Sequence, residues 1–294
     1  MGEVRMTWHE AAILGIVEGL TEYLPVSSTG HLLVAQRWMG IGEGNERAKE
    51  VANAFAICIQ AGAILAVLGL YRGRVAAIGL GLLGRDPAGR RLAGRLAVGL
   101  FPAVVVGLTL EKQIKGTLFG GDQLGFWPIV AAWIVGGLGI LGVAWWRRVG
   151  GRRSRIRGED EVGEGLEQMT WKQALSIGML QCVAVWPGVS RSLMTIVGGV
   201  LSGLRTPAAV EFSFLLGVLT LGGATLKDAV EFGPALLDHY GAGPLLIGLF
   251  FSTISAAISV KWMVGYLQRH GLELFGYYRI AVGVAVGIWL LRGD

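Results

Sequence analysis

The chain has 294 residues, of which 53% are hydrophobic and only 16% are charged, whereas about a quarter of an ordinary soluble domain is charged. This composition excludes a soluble globular protein and predicts an integral membrane protein. The 48 glycines and 10 tryptophans agree, because glycine lets transmembrane helices approach closely and tryptophan anchors them at the headgroup level. The net charge of +5 does not indicate nucleic-acid binding, since the arginines lie between apolar segments without interleaved aromatic residues. Membrane lipids are the expected partners.

The first predicted element, residues 8–40, is an apolar stretch that the sequence LPVSSTG (24–30) breaks midway. Proline cannot continue the preceding helix and glycine loosens the chain, so the stretch is predicted as half-helix, turn and half-helix. Each half is too short to cross a hydrocarbon core, which takes about 20 helical residues. Irregular backbone at membrane depth is tolerated only next to protein or a water-filled cavity. The break is therefore a candidate polar site.

Three long apolar stretches follow, and the arrangement then recurs. Residues 171–206 are broken by WPGVSRS (186–192) and are again followed by three apolar stretches. The six predicted spans are residues 51–70, 93–110, 124–146, 210–231, 244–267 and 274–292.

A shift of 163 residues aligns the two breaks and places Ser27 on Ser190. An odd number of spans in each repeat means that the second copy enters the membrane from the opposite side. The predicted fold is thus an all-α polytopic membrane protein with an inverted-topology repeat, six transmembrane helices and two re-entrant helix-turn-helix hairpins. Residues 1–294 are predicted to form one membrane domain. It consists of repeat one (8–147), a cytoplasmic linker (148–170) and repeat two (171–294).

Arginine placement predicts the orientation. The arginine-rich loops 71–95 and 147–157 fall on one side of the six-span arrangement, and the positive-inside rule makes that side cytoplasmic. Loops 41–50 and 232–243 then face outward, as do both termini. Because Glu18 and Glu22 interrupt the first apolar run, we expect no secretory signal peptide there.

Glu18 and Glu22 are four residues apart, so on a helix both carboxylates project from one face. Ionisable residues inside a membrane segment are costly enough to indicate function. Two neighbouring carboxylates repel each other, so either one holds a proton or a cation bridges them, and oxygen ligands suit Mg²⁺ or Ca²⁺. The alternative is an interfacial half-helix with both glutamates in water.

Ser28 and His31 begin the second half-helix three residues apart, where a hydroxyl and an imidazole share a face and form a candidate nucleophile and base. Ser27 and Thr29 are candidate N-caps. The alternative for His31 is a buried, hydrogen-bonded residue.

The second break supplies a cation. Arg191 opens a half-helix between Ser190 and Ser192, with Thr195 one turn later. A guanidinium fork, hydroxyls and the positive end of a helix dipole together predict a phosphate-binding site. The alternative is an arginine that extends to the membrane interface. Together the two breaks hold the groups that phosphoryl transfer requires.

The sequences EGLTEYLPVSSTGH (18–31) and PGVSRSLMT (187–195) resemble the two signatures of the bacterial undecaprenyl-diphosphate phosphatases, also called bacitracin resistance proteins. Segments 211–216 and 278–279 fit this family too. The resemblance implies dephosphorylation of a polyprenyl diphosphate to its monophosphate, which recycles the lipid carrier of cell-wall synthesis. It also implies a divalent cation and a site open to the outer, periplasmic face of the bacterial inner membrane.

The residue patterns and the resemblance together assign four catalytic residues, four substrate-binding residues and two metal ligands. The catalytic residues are Glu22, Ser28, His31 and Arg191. The substrate-binding residues are Ser27, Ser190, Ser192 and Thr195, and the metal ligands are Glu18 and Glu22. The chain has Leu193 and Met194 where the family usually has small residues, which leaves the preferred prenyl chain length open.

The predicted function is therefore an in-membrane phosphatase. The alternative is a lipid-phosphate flippase or transporter, because inverted repeats with broken helices are equally a transporter plan. Three points stay open: whether Ser28 or His31 is the nucleophile, which metal is native, and whether the protein forms a homodimer.

Overall fold

The structure is a computed structural model that describes residues 6–42, 46–119, 126–149 and 163–292. Within these ranges the fold contains eleven α-helices, a 3₁₀ turn at Cys182–Val185 and no strand beyond one isolated bridge between Glu164 and Leu204. The helices are α1 Trp8–Thr21, α2 Ser28–Trp38, α3 Glu46–Leu70, α4 Arg72–Leu82, α5 Pro87–Phe119, α6 Trp127–Val149, α7 Trp171–Gln181, α8 Arg191–Leu201, α9 Thr206–His239, α10 Ala242–Leu267 and α11 Glu273–Leu291.

Among the residues that the structure describes, six helices are long and apolar enough to cross a membrane, which confirms the six predicted spans. They cover Glu46–Leu70, Pro87–Thr109, Trp127–Trp146, Thr206–His239, Ala242–Leu267 and Glu273–Leu291. The loop predicted at residues 71–95 is wrong in detail, because it contains α4 and the first turns of α5. Helix α4 has only 11 residues, so a search for spans of about 20 apolar residues does not find it, and arginines interrupt the apolar pattern in the first turns of α5.

Both broken stretches consist of two short helices on either side of a break. The helices have 14 and 11 residues at the first break and 11 residues each at the second, against the roughly 20 that cross a hydrocarbon core. Helix α1 packs against α2, and α7 packs against α8. Neither stretch contains a spanning helix.

The helices of the two broken stretches begin at positions that differ by a constant number of residues. Helices α1 and α2 begin 163 residues before α7 and α8 respectively. The caps repeat as well: Thr7 forms a capping box with Glu10, and Thr170 forms one with Gln173. In each box the hydroxyl accepts from a main-chain N–H of the first helical turn while the partner side chain binds the cap residue.

The described residues divide into two compact units. The first comprises the chain up to Leu24, Ser28–Val75 and Gly217–Lys261. The second comprises Pro25–Ser27, Ala76–Leu216 and the chain from Trp262 onward. Each unit thus combines segments from both halves of the sequence.

In the first unit, α1 packs closely against α10. A Cβ atom on Gly15 would lie 3.1 Å from Gly248 Cα, so only glycine allows this approach. Ser259 Oγ donates a hydrogen bond to the carbonyl oxygen of Gly19 at 3.0 Å. These contacts place the end of α1, which carries Glu18 and Glu22, deep in the unit.

In the second unit, α7 packs against α5 by a similar contact. A Cβ atom on Gly178 would lie 3.0 Å from Gly99 Cα. Helix α11 packs along α6, where a Cβ atom on Gly137 would lie 2.7 Å from the carbonyl oxygen of Gly276. Close packing of this kind holds the second break in place.

Candidate active site

Glu18 and Glu22 lie on consecutive turns at the end of α1. The main-chain N–H of Glu22 bonds the carbonyl oxygen of Glu18 at 2.9 Å, so helical geometry continues through Glu22. Glu18 is fully buried and Glu22 is 7% exposed. The alternative prediction, an interfacial half-helix with both carboxylates in water, does not agree with this burial.

Ser28, the first residue of α2, lies against one of these carboxylates. Its Oγ donates a hydrogen bond to Glu22 Oε2, and both groups are buried. His31 lies one turn further along α2 and is half-buried. The structure thus joins the candidate nucleophile Ser28 to Glu22 by a hydrogen bond.

The second break ends in a short hydrogen-bonded array. Ser190 Oγ accepts from the main-chain N–H of Leu193 at 3.2 Å and thereby caps α8. It also lies 3.0 Å from Ser192 Oγ. These bonds place two hydroxyls at the N-terminus of α8, where the helix dipole favours an anion.

Arg191 and Thr195 both form hydrogen bonds with Ser213 of α9, a residue for which the sequence predicted no role. Arg191 Nη1 donates to the carbonyl oxygen of Ser213 at 3.0 Å, and Thr195 Oγ1 lies 2.6 Å from Ser213 Oγ. Ser213 is fully buried. It belongs to the segment 211–216 quoted for the family resemblance, but its contact depends on tertiary packing that local spacing does not reveal.

Ser27 and Ser190 have an unusual backbone conformation. Their φ angles are +74° and +76°, and within the described ranges no other residue except glycine has a positive φ. Side chains rarely adopt this region, and residues held there cluster at functional sites. The two serines are also equivalent under the shift of 163 residues.

The breaks are held by two further side chains that the sequence analysis left unassigned. The Trp133 indole donates to the carbonyl oxygen of Val26 at 2.9 Å. Arg279 Nη1 donates to the carbonyl oxygen of Pro25 at 3.3 Å, and Nη2 donates to that of Gly188 at 2.9 Å. An arginine inside an apolar span was the available signal for Arg279.

The predicted site residues divide between the two units. Those in the first unit are Glu18, Glu22, Ser28 and His31. Those in the second unit are Ser27, Ser190, Arg191, Ser192 and Thr195. Within the units the structure brings together Glu22 with Ser28, Ser190 with Ser192, and Arg191 with Thr195 through Ser213.

The carboxylates fit a hard cation only with additional ligands. In the part of the chain that the structure describes, no three His, Cys, Asp or Glu side chains gather closely enough to hold a metal ion. Mg²⁺, however, is commonly bound by one or two carboxylates and completed by water and substrate phosphates. Glu18 and Glu22 on consecutive turns match that smaller donor set.

Comparisons with known proteins agree on one family. A family model described as bacitracin resistance protein BacA matches residues 11–285. A protein of Sorangium cellulosum named undecaprenyl-diphosphatase is 46% identical over 286 residues, which cover 97% of this chain and 87% of the relative. Undecaprenyl-diphosphatase 2 of Rhodospirillum rubrum is 43% identical over 277 residues, 94% of this chain and 93% of the relative. The chain belongs to the bacitracin resistance protein BacA family.

Proposed function

We propose that this chain is an integral membrane phosphatase that hydrolyses undecaprenyl diphosphate to undecaprenyl phosphate and inorganic phosphate. The observation that carries the proposal is the buried hydrogen bond from Ser28 to Glu22, because a serine hydroxyl needs an adjacent base to act as a nucleophile. The relatives named undecaprenyl-diphosphatase supply the substrate. A flippase needs no such pair, and no observation favours that alternative.

In the first step Ser28 Oγ attacks the terminal phosphorus and its proton passes to Glu22. The bond from that phosphorus to the bridging oxygen breaks, and undecaprenyl phosphate leaves with the electron pair and takes up the proton from Glu22, which becomes a base again. Water then attacks the phosphoserine and loses a proton to Glu22 or His31. The bond from phosphorus to Ser28 Oγ breaks, and that proton passes to the Ser28 oxygen as inorganic phosphate leaves. His31 as nucleophile would follow the same sequence through a phosphohistidine.

The group around Arg191 binds the phosphoryl oxygens in this scheme. Arginine presents a planar fork of donors that matches phosphate geometry. Thr195, Ser190 and Ser192 contribute hydroxyl donors beside the N-terminus of α8. Donors already held in place stabilise charge that develops in the transition state without further reorganisation.

Glu18 and Glu22 would hold a divalent cation, Mg²⁺ or Ca²⁺, together with diphosphate oxygens of the substrate. When bound, such an ion neutralises charge on the diphosphate. Removal of divalent cations with EDTA is expected to lower phosphate release strongly, and added Mg²⁺ or Ca²⁺ is expected to restore it. Full activity in EDTA would contradict this part of the proposal.

We also propose that the two broken stretches are re-entrant hairpins of an inverted repeat, residues 8–147 and 171–294. The repeated helix bounds and capping boxes support this assignment. With the arginine-rich segments in the cytoplasm, the site opens to the periplasmic face of the inner membrane and both termini lie outside.

The test is phosphate release from undecaprenyl diphosphate by protein purified in detergent, where no gradient can drive transport. Ser28→Ala and Arg191→Ala should each lower kcat/KM by about 10²–10⁴-fold. The matched control is Ser176→Ala, which removes an exposed serine of α7 and should leave the rate unchanged. Wild-type rates for Ser28→Ala and His31→Ala alike would overturn the assignment of a nucleophile on α2.

A further inference from the structure

Arg279 joins the two breaks. It is fully buried on α11, and its guanidinium donates to three main-chain carbonyl oxygens. Two of these belong to Pro25 in the first break and Gly188 in the second, and the third, 2.7 Å away, belongs to Ala132 on α6. Pro25 and Gly188 are themselves 163 residues apart, so one guanidinium bonds equivalent carbonyls of the two breaks.

A glycine on α6, Gly136, leaves the space that the Arg279 guanidinium occupies. A Cβ atom on Gly136 would lie 2.9 Å from Arg279 Cζ, so any larger residue there would displace the guanidinium. Within the described ranges Arg279 forms no ion pair with a carboxylate, and main-chain dipoles surround its charge. A planar fork with several fixed donors can reach three acceptors at once, whereas a lysine ammonium cannot match that geometry.

The carbonyls of the breaks need such a donor. Neither break is helical, so these oxygens lack the regular partners that a helix provides, and a buried unpaired carbonyl is costly. The same short segments carry chemistry: Ser27 follows Pro25 by two residues, and Arg191 follows Gly188 by three. A shift of either carbonyl would therefore move groups that act on substrate.

We propose that Arg279 is a positioning residue for the reaction. By donating hydrogen bonds to the carbonyl oxygens of both Pro25 and Gly188, it sets the geometry of the segments that lead into Ser28 and Arg191. This inference rests on the proposed function, because the consequence it predicts is a loss of turnover. Misplacement of reacting groups by about 1 Å lowers rates by up to 10²-fold. Arg279 itself need not touch the substrate.

The kinetic test uses the full chain in detergent with Arg279→Lys, Arg279→Met and Gly136→Ala. Gly136→Ala keeps the arginine and its charge but displaces the guanidinium. The matched control is Gly139→Ala on the same helix, where a Cβ atom would meet nothing within 4 Å. We expect all four proteins to elute as monodisperse species, with kcat lowered about 10- to 100-fold in the first three and unchanged in Gly139→Ala.

A purely structural role would give a different pattern. Any folded fraction of Arg279→Met or Gly136→Ala would then turn over at the wild-type kcat, and only the thermal midpoint would fall. That result would overturn the proposal.

A second measurement does not depend on phosphatase activity. In a background with Cys58→Ala and Cys182→Ala, the single substitutions Val26→Cys and Val189→Cys report how accessible each break is to a thiol reagent. Arg279→Met should raise their rates of modification by a small thiol reagent several-fold. A cysteine at Val200, buried on α8, is the control and should not change.

The two measurements separate the possible failures. If the wild-type protein releases no phosphate, the proposed function fails, yet the labelling rates still test whether Arg279 holds the breaks. Unchanged labelling at both Val26 and Val189 in Arg279→Met would overturn the positioning role, whatever the reaction.

Discussion

Ser213 is fully buried on α9 and contacts two residues in the first two turns of α8. Its hydroxyl bonds Thr195, while its carbonyl oxygen accepts from Arg191. The two contacts differ in what a substitution can remove, because Ser213→Ala deletes only the hydroxyl. The substitution Ser213→Ala therefore separates the contribution of the Thr195 contact to activity from that of the Arg191 contact.

We expect Ser213→Ala to lower kcat/KM for undecaprenyl diphosphate by about 5- to 10-fold, because a buried hydrogen bond contributes about 1 kcal/mol. The bond from Arg191 to the Ser213 carbonyl is retained, so the loss should be far smaller than in Arg191→Ala. The measurement is initial phosphate release at several substrate concentrations. Equal losses in the two variants would show that Ser213 acts through more than Thr195.

Ser27 carries a side chain where the backbone favours glycine. Ser27→Gly should raise the thermal midpoint relative to Ser27→Ala, because glycine relieves a conformation that costs a side chain about 1–3 kcal/mol. Both variants lose the hydroxyl, so both should lose activity. A thermal midpoint for Ser27→Gly at or below that of Ser27→Ala would mean that this residue stores no strain.

The sequence predicted part of this site and missed the rest for a definite reason. The spacing of Glu18 and Glu22 is local, so a helix alone places both carboxylates on one face. The bond from Arg279 to Pro25 joins residues 254 positions apart, and the bond from Trp133 to Val26 joins residues 107 apart. Contacts of that range depend on how helices pack, which spacing along the chain does not encode.

At the scale of elements, two glycine contacts recur between helices. Gly15 on α1 meets Gly248 on α10, and Gly178 on α7 meets Gly99 on α5. Because main-chain atoms lie opposite each glycine, a methyl group can be accommodated only by separating two helices. Both broken stretches thus depend on close helix packing.

Gly15→Ala and Gly178→Ala should each lower stability by about 1–3 kcal/mol, the usual cost of overpacking. Their controls are Gly69→Ala on α3 and Gly107→Ala on α5, where a Cβ atom would meet nothing within 4 Å. The measurement is the midpoint of thermal aggregation in detergent. Equal midpoints for the paired and control variants would contradict the packing argument.

The helical spans and the two breaks followed from the sequence because apolar length and a proline with hydroxyls are local signals. Helix ends were harder to predict. The first turns of α3 and α5 lie in charged segments, and hydropathy placed both starts too late along the chain. The positive φ angles of Ser27 and Ser190 had no signal at all, since serine does not prefer that region.

At the scale of the whole molecule, the proposed orientation can be tested with single cysteines. In a background without Cys58 and Cys182, Asp238→Cys at the end of α9 should react in intact cells with a thiol reagent that cannot cross the inner membrane. Arg85→Cys, between α4 and α5, should react only after the membrane is permeabilised. Both side chains are exposed, so burial would not mask either result, and the reverse pattern would invert the topology.

The pairing of Gly15 with Gly248 has a consequence for biosynthesis. The two glycines are separated by roughly 230 residues, so at about 5–20 residues per second the ribosome needs roughly 10 to 50 s to supply the second one. During that time α1, with Glu18 and Glu22, is already made but lacks the helix that encloses it in the finished protein. The helix that carries these two buried carboxylates is thus among the first to be synthesised and waits for α10, so we expect the growing chain to depend on the insertion machinery during this interval.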